Sequence, residues 1–134
     1  MTPSVIPARV VLLFSHEENF TQALRDYFEQ HHQLHLIAVQ PKEFRTALRW
    51  RIPLLILWDQ EPGQSNPEYV LQWLRDHFTK RPIIALVKQG ERAIMSGMCN
   101  KGINFVLDRS KEDFFDSLGV FTTAVLADRT AIYG

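Results

Sequence analysis

The stretch RIPLLILWDQE, Arg51 to Glu61, opens on a proline and runs unbroken through Leu54, Leu55, Ile56, Leu57 and Trp58. Five apolar residues are too few for a helix, and they do not alternate with polar ones. The pattern predicts a strand buried on both faces, as in the middle of a parallel sheet. The run stops at Asp59. In open α/β sheets, ligands and chemistry gather just past the carboxyl ends of the strands, so Asp59 is the first candidate for a functional role.

Outward from this run, apolar runs and helical stripes alternate. A strand is predicted at Arg9 to Phe14, followed at once by Ser15, His16 and Glu17. Phe20, Ala23, Leu24, Tyr27 and Phe28 then fall on one face of a first helix that ends near His31. Leu34 to Val39 reads as a second strand, and Pro41 opens a helix with Phe44, Ala47 and Leu48 facing inward. Beyond the central strand, Pro62, Gly63 and Ser65 mark a loop, and Asn66-Pro67 starts a helix with Val70, Trp73, Leu74 and Phe78 as its stripe. Pro82 to Val87 is a fourth strand. Glu91 to Asn100 is a helix carrying Ile94, Met95, Met98 and Cys99, with Gly102 at its C-terminal turn. Asn104 to Leu107 is a fifth strand. Ser110 with Asp113 three residues on resembles a capping box that begins a last helix through Phe114, Leu118, Phe121 and Val125.

Five strands alternating with five helices imply a three-layer α/β sandwich around a five-stranded parallel sheet, because right-handed crossovers place helices on both faces. The expected strand order, 2-1-3-4-5, sets the switch point between the first and third strands. That puts Ser15, His16 and Glu17 beside Asp59. The domain is expected to span residues 9–128, with residues 1–8 as a lead-in and 129–134 as a tail or the start of a linker.

Composition narrows the function classes. With 134 residues, 46% apolar and 22% charged, the chain suits one domain with a core of its own. Fifteen basic residues balance fifteen acidic ones, which gives no footprint of a nucleic-acid or membrane-surface binder. A protein or small-molecule partner is expected instead. Cys99 is the single cysteine and cannot form an internal disulfide, and the N-terminal apolar run is too short for a signal peptide or a span. The expected location is cytoplasmic.

Several residues invite sharper readings. His31, His32 and His35 are metal-ligand types, but they bracket a helix end in a polar stretch, which suits a solvated turn. Ser15, His16 and Asp59 are the residue types of a hydrolytic triad, yet Ser15 and His16 are adjacent and no G-x-S-x-G elbow is present. Cys99, Trp58 and Trp73 are expected in the core, with Trp50 partly exposed.

The run Pro53 to Asp59, PLLILWD, resembles the strand that ends in the phospho-accepting aspartate of bacterial response regulator receiver domains, and the resemblance covers about Val10 to Leu126. The segment GINFVLDRS, Gly102 to Ser110, is similar to the family's turn, fifth strand and basic residue. The resemblance makes Asp59 the phospho-acceptor position. It puts the family's acidic pair at Ser15 and His16, its hydroxyl residue at Val87, its lysine at Arg109 and its switching aromatic at Val106, next to Phe105.

The departures matter more than the matches. Phosphoryl transfer to an aspartate uses a Mg²⁺ held by several carboxylates. Serine brings no charge, histidine is a poor ligand for a hard cation, and only Glu17 is near enough to substitute. Valine has no group for the phosphoryl oxygens, and an arginine fork is not a lysine. These changes imply a degenerate receiver, or pseudo-receiver, that is not an enzyme, needs no cofactor and works by docking. The partner implied is a signalling protein or an output domain, with a homodimer as a second arrangement. The alternatives are a phospho-accepting receiver with unusual metal ligands and a small-ligand sensor using the vacated pocket. The expected docking face is the one built by the fourth helix, fifth strand and fifth helix, with Met95, Met98, Val106, Phe115 and Leu126. It rests on the expectation that Phe115, Thr122 and Leu126 lie outside the sheet-facing stripe of the last helix; the alternative is that this wide stripe packs on the first helix or the tail.

Overall fold

The computed structural model describes residues 8–15, 17–38, 53–59, 72, 76, 81–88, 103 and 105–127. The expected helices after Pro41 and at Glu91 to Asn100, with Trp50, Trp73 and Cys99, lie outside the described residues; of the helix after Asn66, Gln72 and Asp76 are helical.

Five strands, β1 (Ala8–Phe14), β2 (His35–Ala38), β3 (Pro53–Asp59), β4 (Ile83–Val87) and β5 (Phe105–Asp108), form one sheet in the order β2-β1-β3-β4-β5. Every pairing is parallel. The three inner strands carry the long apolar runs, as full burial demands. All seven residues of β3 are buried, whereas the edge strand β5 leaves Phe105 46% exposed.

Alternation along each strand splits the core in two. Val11, Leu13, Leu55, Leu57, Ile84, Leu86 and Leu107 point to one face, where they meet Leu24 and Phe28 of the first helix (Glu18–His32) and Phe114, Leu118 and Val125 of the last helix (Phe114–Ala127). Leu12, Phe14, Ile56, Trp58, Ile83, Ala85 and Val87 point to the other face, with Ile103. The period of two thus feeds two separate apolar layers from one sheet.

The first helix stops where Gln33 adopts a left-handed conformation (φ 51°) and the Leu34 N–H reaches the Phe28 carbonyl at 3.1 Å. Arg9 of β1 adds a side-chain donor to the His32 carbonyl at 2.8 Å, covering an acceptor that the helix end leaves open.

The last helix departs from expectation in two respects. Ser110 does not cap it: its N–H and hydroxyl both bind Asp108 Oδ1, at 2.9 and 2.5 Å, in a turn that closes β5. The helix begins only at Phe114. Its buried stripe is Phe114, Leu118, Thr122 and Val125, so Thr122 replaces Phe121 inside. The Thr122 hydroxyl tolerates burial by bonding the Leu118 carbonyl at 2.8 Å. Phe121 turns instead to the sheet edge, where its ring lies 5.5 Å from that of Phe105.

Candidate functional site

In-register parallel strands bring their carboxyl ends to one edge of the sheet. Phe14 pairs with Trp58, Asp59 with Leu86, and Val87 with Asp108, so the residues just past β1, β4 and β5 surround the end of β3. Asp59 is fully buried there.

Three chain segments converge on it. The Ser15 hydroxyl donates to Asp59 Oδ2 at 2.7 Å and accepts the Glu17 N–H at 3.2 Å, which fixes the turn into the first helix. Arg109 Nη1 donates to the same Asp59 oxygen at 2.5 Å, while Nη2 bonds Glu17 Oε2. Lys88 Nζ donates to Glu17 Oε1 at 2.6 Å. The Arg109 guanidinium also lies over the Phe20 ring, 3.9 Å from its centroid, so its face as well as its edge is engaged. The Arg109 N–H bonds the Val87 carbonyl at 2.8 Å, which aims the side chain back toward β3.

The result is an alternating row of charges, Lys88, Glu17, Arg109 and Asp59, two positive and two negative. Its two ends differ in weight. The Arg109 and Asp59 side chains are 7% and 0% exposed, so losing either partner strands a buried charge, at a cost of about 3–5 kcal/mol. Lys88 and Glu17 are 41% and 40% exposed, and their pair is worth about 0–1 kcal/mol. The bonds from Lys88, then from Arg109, hold the Glu17 carboxyl below the usual carboxylate range.

Of the expected pocket residues, Ser15, Glu17, Arg109 and Asp59 meet in one cluster. His16 lies outside the described residues. Val87 takes part only through its backbone; its side chain points to the opposite layer, packed with Trp58 and Ile103. Glu17, expected as a stand-in metal ligand, is instead committed to two cations. Lys88 was not singled out from the sequence. Its signal was available, a basic residue directly after a buried strand, but β4 is separated from β1 by β3, and only a long side chain crossing the end of β3 joins them. Phe20 was read as core and not as a platform for Arg109.

The donor set bears on a divalent cation. Both described carboxylates at the site are bound by one guanidinium, and the row already sums to zero charge, so a Mg²⁺ would have to displace Arg109. The described residues do not fit that ion. No group of three or more metal-ligating side chains occurs among them elsewhere, and His31 and His32 pack against Tyr27.

The expected docking residues separate. Phe115 is 37% exposed, but its ring lies 5.1 Å from Tyr27 of the first helix, away from the β5 edge. This corrects its expected place: with Thr122 inward, the helix is rotated and Phe115 turns to the first helix. Leu126 packs against the core layer of the two helices, and Val106 against the opposite layer. Met95 and Met98 lie outside the described residues.

No family model matches the chain, and no curated protein matches it. Solved structures do. The N-terminal signal receiver domain of a two-component response regulator from Bacteroides fragilis superposes with a TM-score of 0.76 at 12% identity, over 89% of this chain and 97% of that one. A response regulator receiver domain protein from Clostridium thermocellum gives 0.74 at 11% identity, over 90% and 96%. NtrX from Brucella abortus gives 0.73 at 13% identity over 91% of this chain but only 27% of its own length. At such identities the likeness establishes the fold, which is that of the receiver domains of two-component response regulators.

Proposed function

We propose that this domain is a degenerate receiver, a phosphorylation-independent protein-interaction module of bacterial signal transduction that acts in the cytoplasm through a signalling protein or an output domain. The observation that carries the reading is the Arg109 guanidinium bound to buried Asp59. An acceptor aspartate has to offer a free oxygen lone pair to phosphorus and sit beside a metal ion that neutralises the transferred group. Here the described site offers Asp59 a permanent cation of its own, and β4 ends in valine with no hydroxyl to receive the phosphoryl oxygens. Among the described residues no helix is long and apolar enough to cross a membrane.

Incubation with acetyl phosphate and Mg²⁺, followed by intact-mass spectrometry, is expected to leave the mass unchanged. A stoichiometric phosphoryl adduct that disappears in Asp59→Asn overturns the proposal and makes the domain a phospho-acceptor. A homodimer, the second arrangement, is proposed through the β5 edge, where exposed Phe105 meets the tilted ring of Phe121. Sedimentation of Phe105→Asp against the parent is expected to show dissociation, and two identical monomeric profiles would remove the dimer.

A further inference from the structure

We propose that the groove between the first and last helices is a docking site for an arginine side chain presented by a protein partner. The inference rests on the interaction-module reading and gives that module a partner chemistry. The groove is a shallow, open depression of about 690 Å³ on the helical face of the domain, away from the Asp59 cluster. Its wall is aromatic: the Tyr27 ring lies 5.1 Å from that of Phe115 and 5.0 Å from that of His31. Its rim carries two exposed carboxylates, Asp26 from the first helix and Asp116 from the last. Both carboxylates carry the same sign.

Two hydrogen bonds orient the Tyr27 ring in the wall. The Tyr27 hydroxyl donates to the Phe115 carbonyl at 3.3 Å and shares a 3.2 Å hydrogen bond with His32 Nε2. It fits there because residue 119 is glycine: a Cβ at that position would stand 2.5 Å from the Tyr27 oxygen. An oriented aromatic face beside two carboxylates suits a planar cation, which can stack on the rings and donate edge-on to the acids. The domain holds its own Arg109 by the same means, a phenylalanine ring beneath the guanidinium and two carboxylates at its edge. The groove offers a similar set of groups at the surface, although Asp26 Oδ1 already accepts Gln22 Nε2 at 2.9 Å, so a partner's guanidinium would meet its other oxygen and Asp116.

The test is an NMR titration of the isotope-labelled chain with the peptide acetyl-Gly-Arg-Gly-Arg-Gly-amide and with its citrulline counterpart, which keeps the shape and loses the charge. Saturable shifts are expected at the amides of Tyr27, Phe115, Asp116 and Gly119 with the arginine peptide alone. The double variant Asp26→Asn, Asp116→Asn is expected to bind about tenfold more weakly, and Phe115→Leu about threefold more weakly. Asp26 and Asp116 are exposed, so the double variant should melt with the parent; Phe115 is 37% exposed and its ring meets that of Tyr27, so the Phe115→Leu affinity is read beside its own thermal melt. Equal binding of both peptides, shifts scattered over the surface, or an affinity unchanged in the double variant would each overturn the proposal. None of these results depends on whether Asp59 accepts phosphate, which the intact-mass experiment decides separately.

Discussion

Arg109 leaves β5 with its N–H tied to Val87, and its side chain crosses to a fully buried carboxylate. Breaking that pair one side at a time should be expensive. Arg109→Met is expected to lower unfolding free energy by about 3 kcal/mol because Asp59 then keeps a buried charge, and adding Asp59→Leu should recover most of the loss. Urea melts of Arg109→Met, Asp59→Leu and the double variant check this, and an additive double variant would count against a coupled pair. Lys88→Ala should cost under about 1 kcal/mol, since that end of the row is in water. Acid acts on the same residues. Glu17 titrates below its ordinary 4.5 in the folded state, so its contribution is whole above that value and is lost as pH falls through the folded value. His32 is lowered from 6.5 by burial and then by His31, and its contribution is likewise whole above 6.5 and lost as pH falls below it. Stability should therefore decline in two steps on acidification. His32→Asn should flatten the upper step and Glu17→Gln the lower one, in urea midpoints followed across pH.

At the scale of the helices, the contact between the first and last helices is set by one absent side chain. Glycine inside a helix costs about 1 kcal/mol relative to alanine, so Gly119→Ala should stabilise on propensity alone. It should do the opposite here, because the new methyl meets the Tyr27 hydroxyl and pushes it off its two partners. In a Tyr27→Phe background the hydroxyl is gone and the nearest ring carbon lies 3.8 Å away, ordinary contact. Gly119→Ala is then expected to gain about 1 kcal/mol. A thermal-melt double-mutant cycle in which the sign does not reverse would show that Tyr27 yields freely. The same helices mark the limit of sequence reading. Apolar spacing located both, but the last one carries Phe114, Phe115, Phe121 and Leu126 on more than one stripe, and spacing alone could not choose which face turns inward. The choice went to the stripe containing Thr122, whose hydroxyl can bond its own helix, while Phe121 covers Phe105.

For the molecule as a whole, strand order and the place of Asp59 were legible because both follow from chain connectivity. A central apolar run ending in an acid, flanked by alternating strands and helices, leaves few parallel topologies open, and β2-β1-β3-β4-β5 is the one adopted. The charge row was only half legible. The resemblance brought Asp59 and Arg109 to one site, but Lys88 reaches Glu17 across another strand, and no local pattern encodes that reach. Architecture also ranks the strands by stability. The seven residues of β3 are all buried between β1 and β4, whereas β2 and β5 are short edge strands whose outer backbone faces no strand among the described residues. Native-state hydrogen exchange should therefore find the slowest amides in β1, β3 and β4, opening only with global unfolding, and faster sub-global opening in β2 and β5. Arg109→Met sharpens this expectation, since Arg109 ties the end of β5 to β3 and to the first helix. In that variant the amides of β5 should gain exchange rate more than those of β2. Equal acceleration at both edges would mean that the charge row stabilises the whole sheet evenly and does not clamp its β5 side.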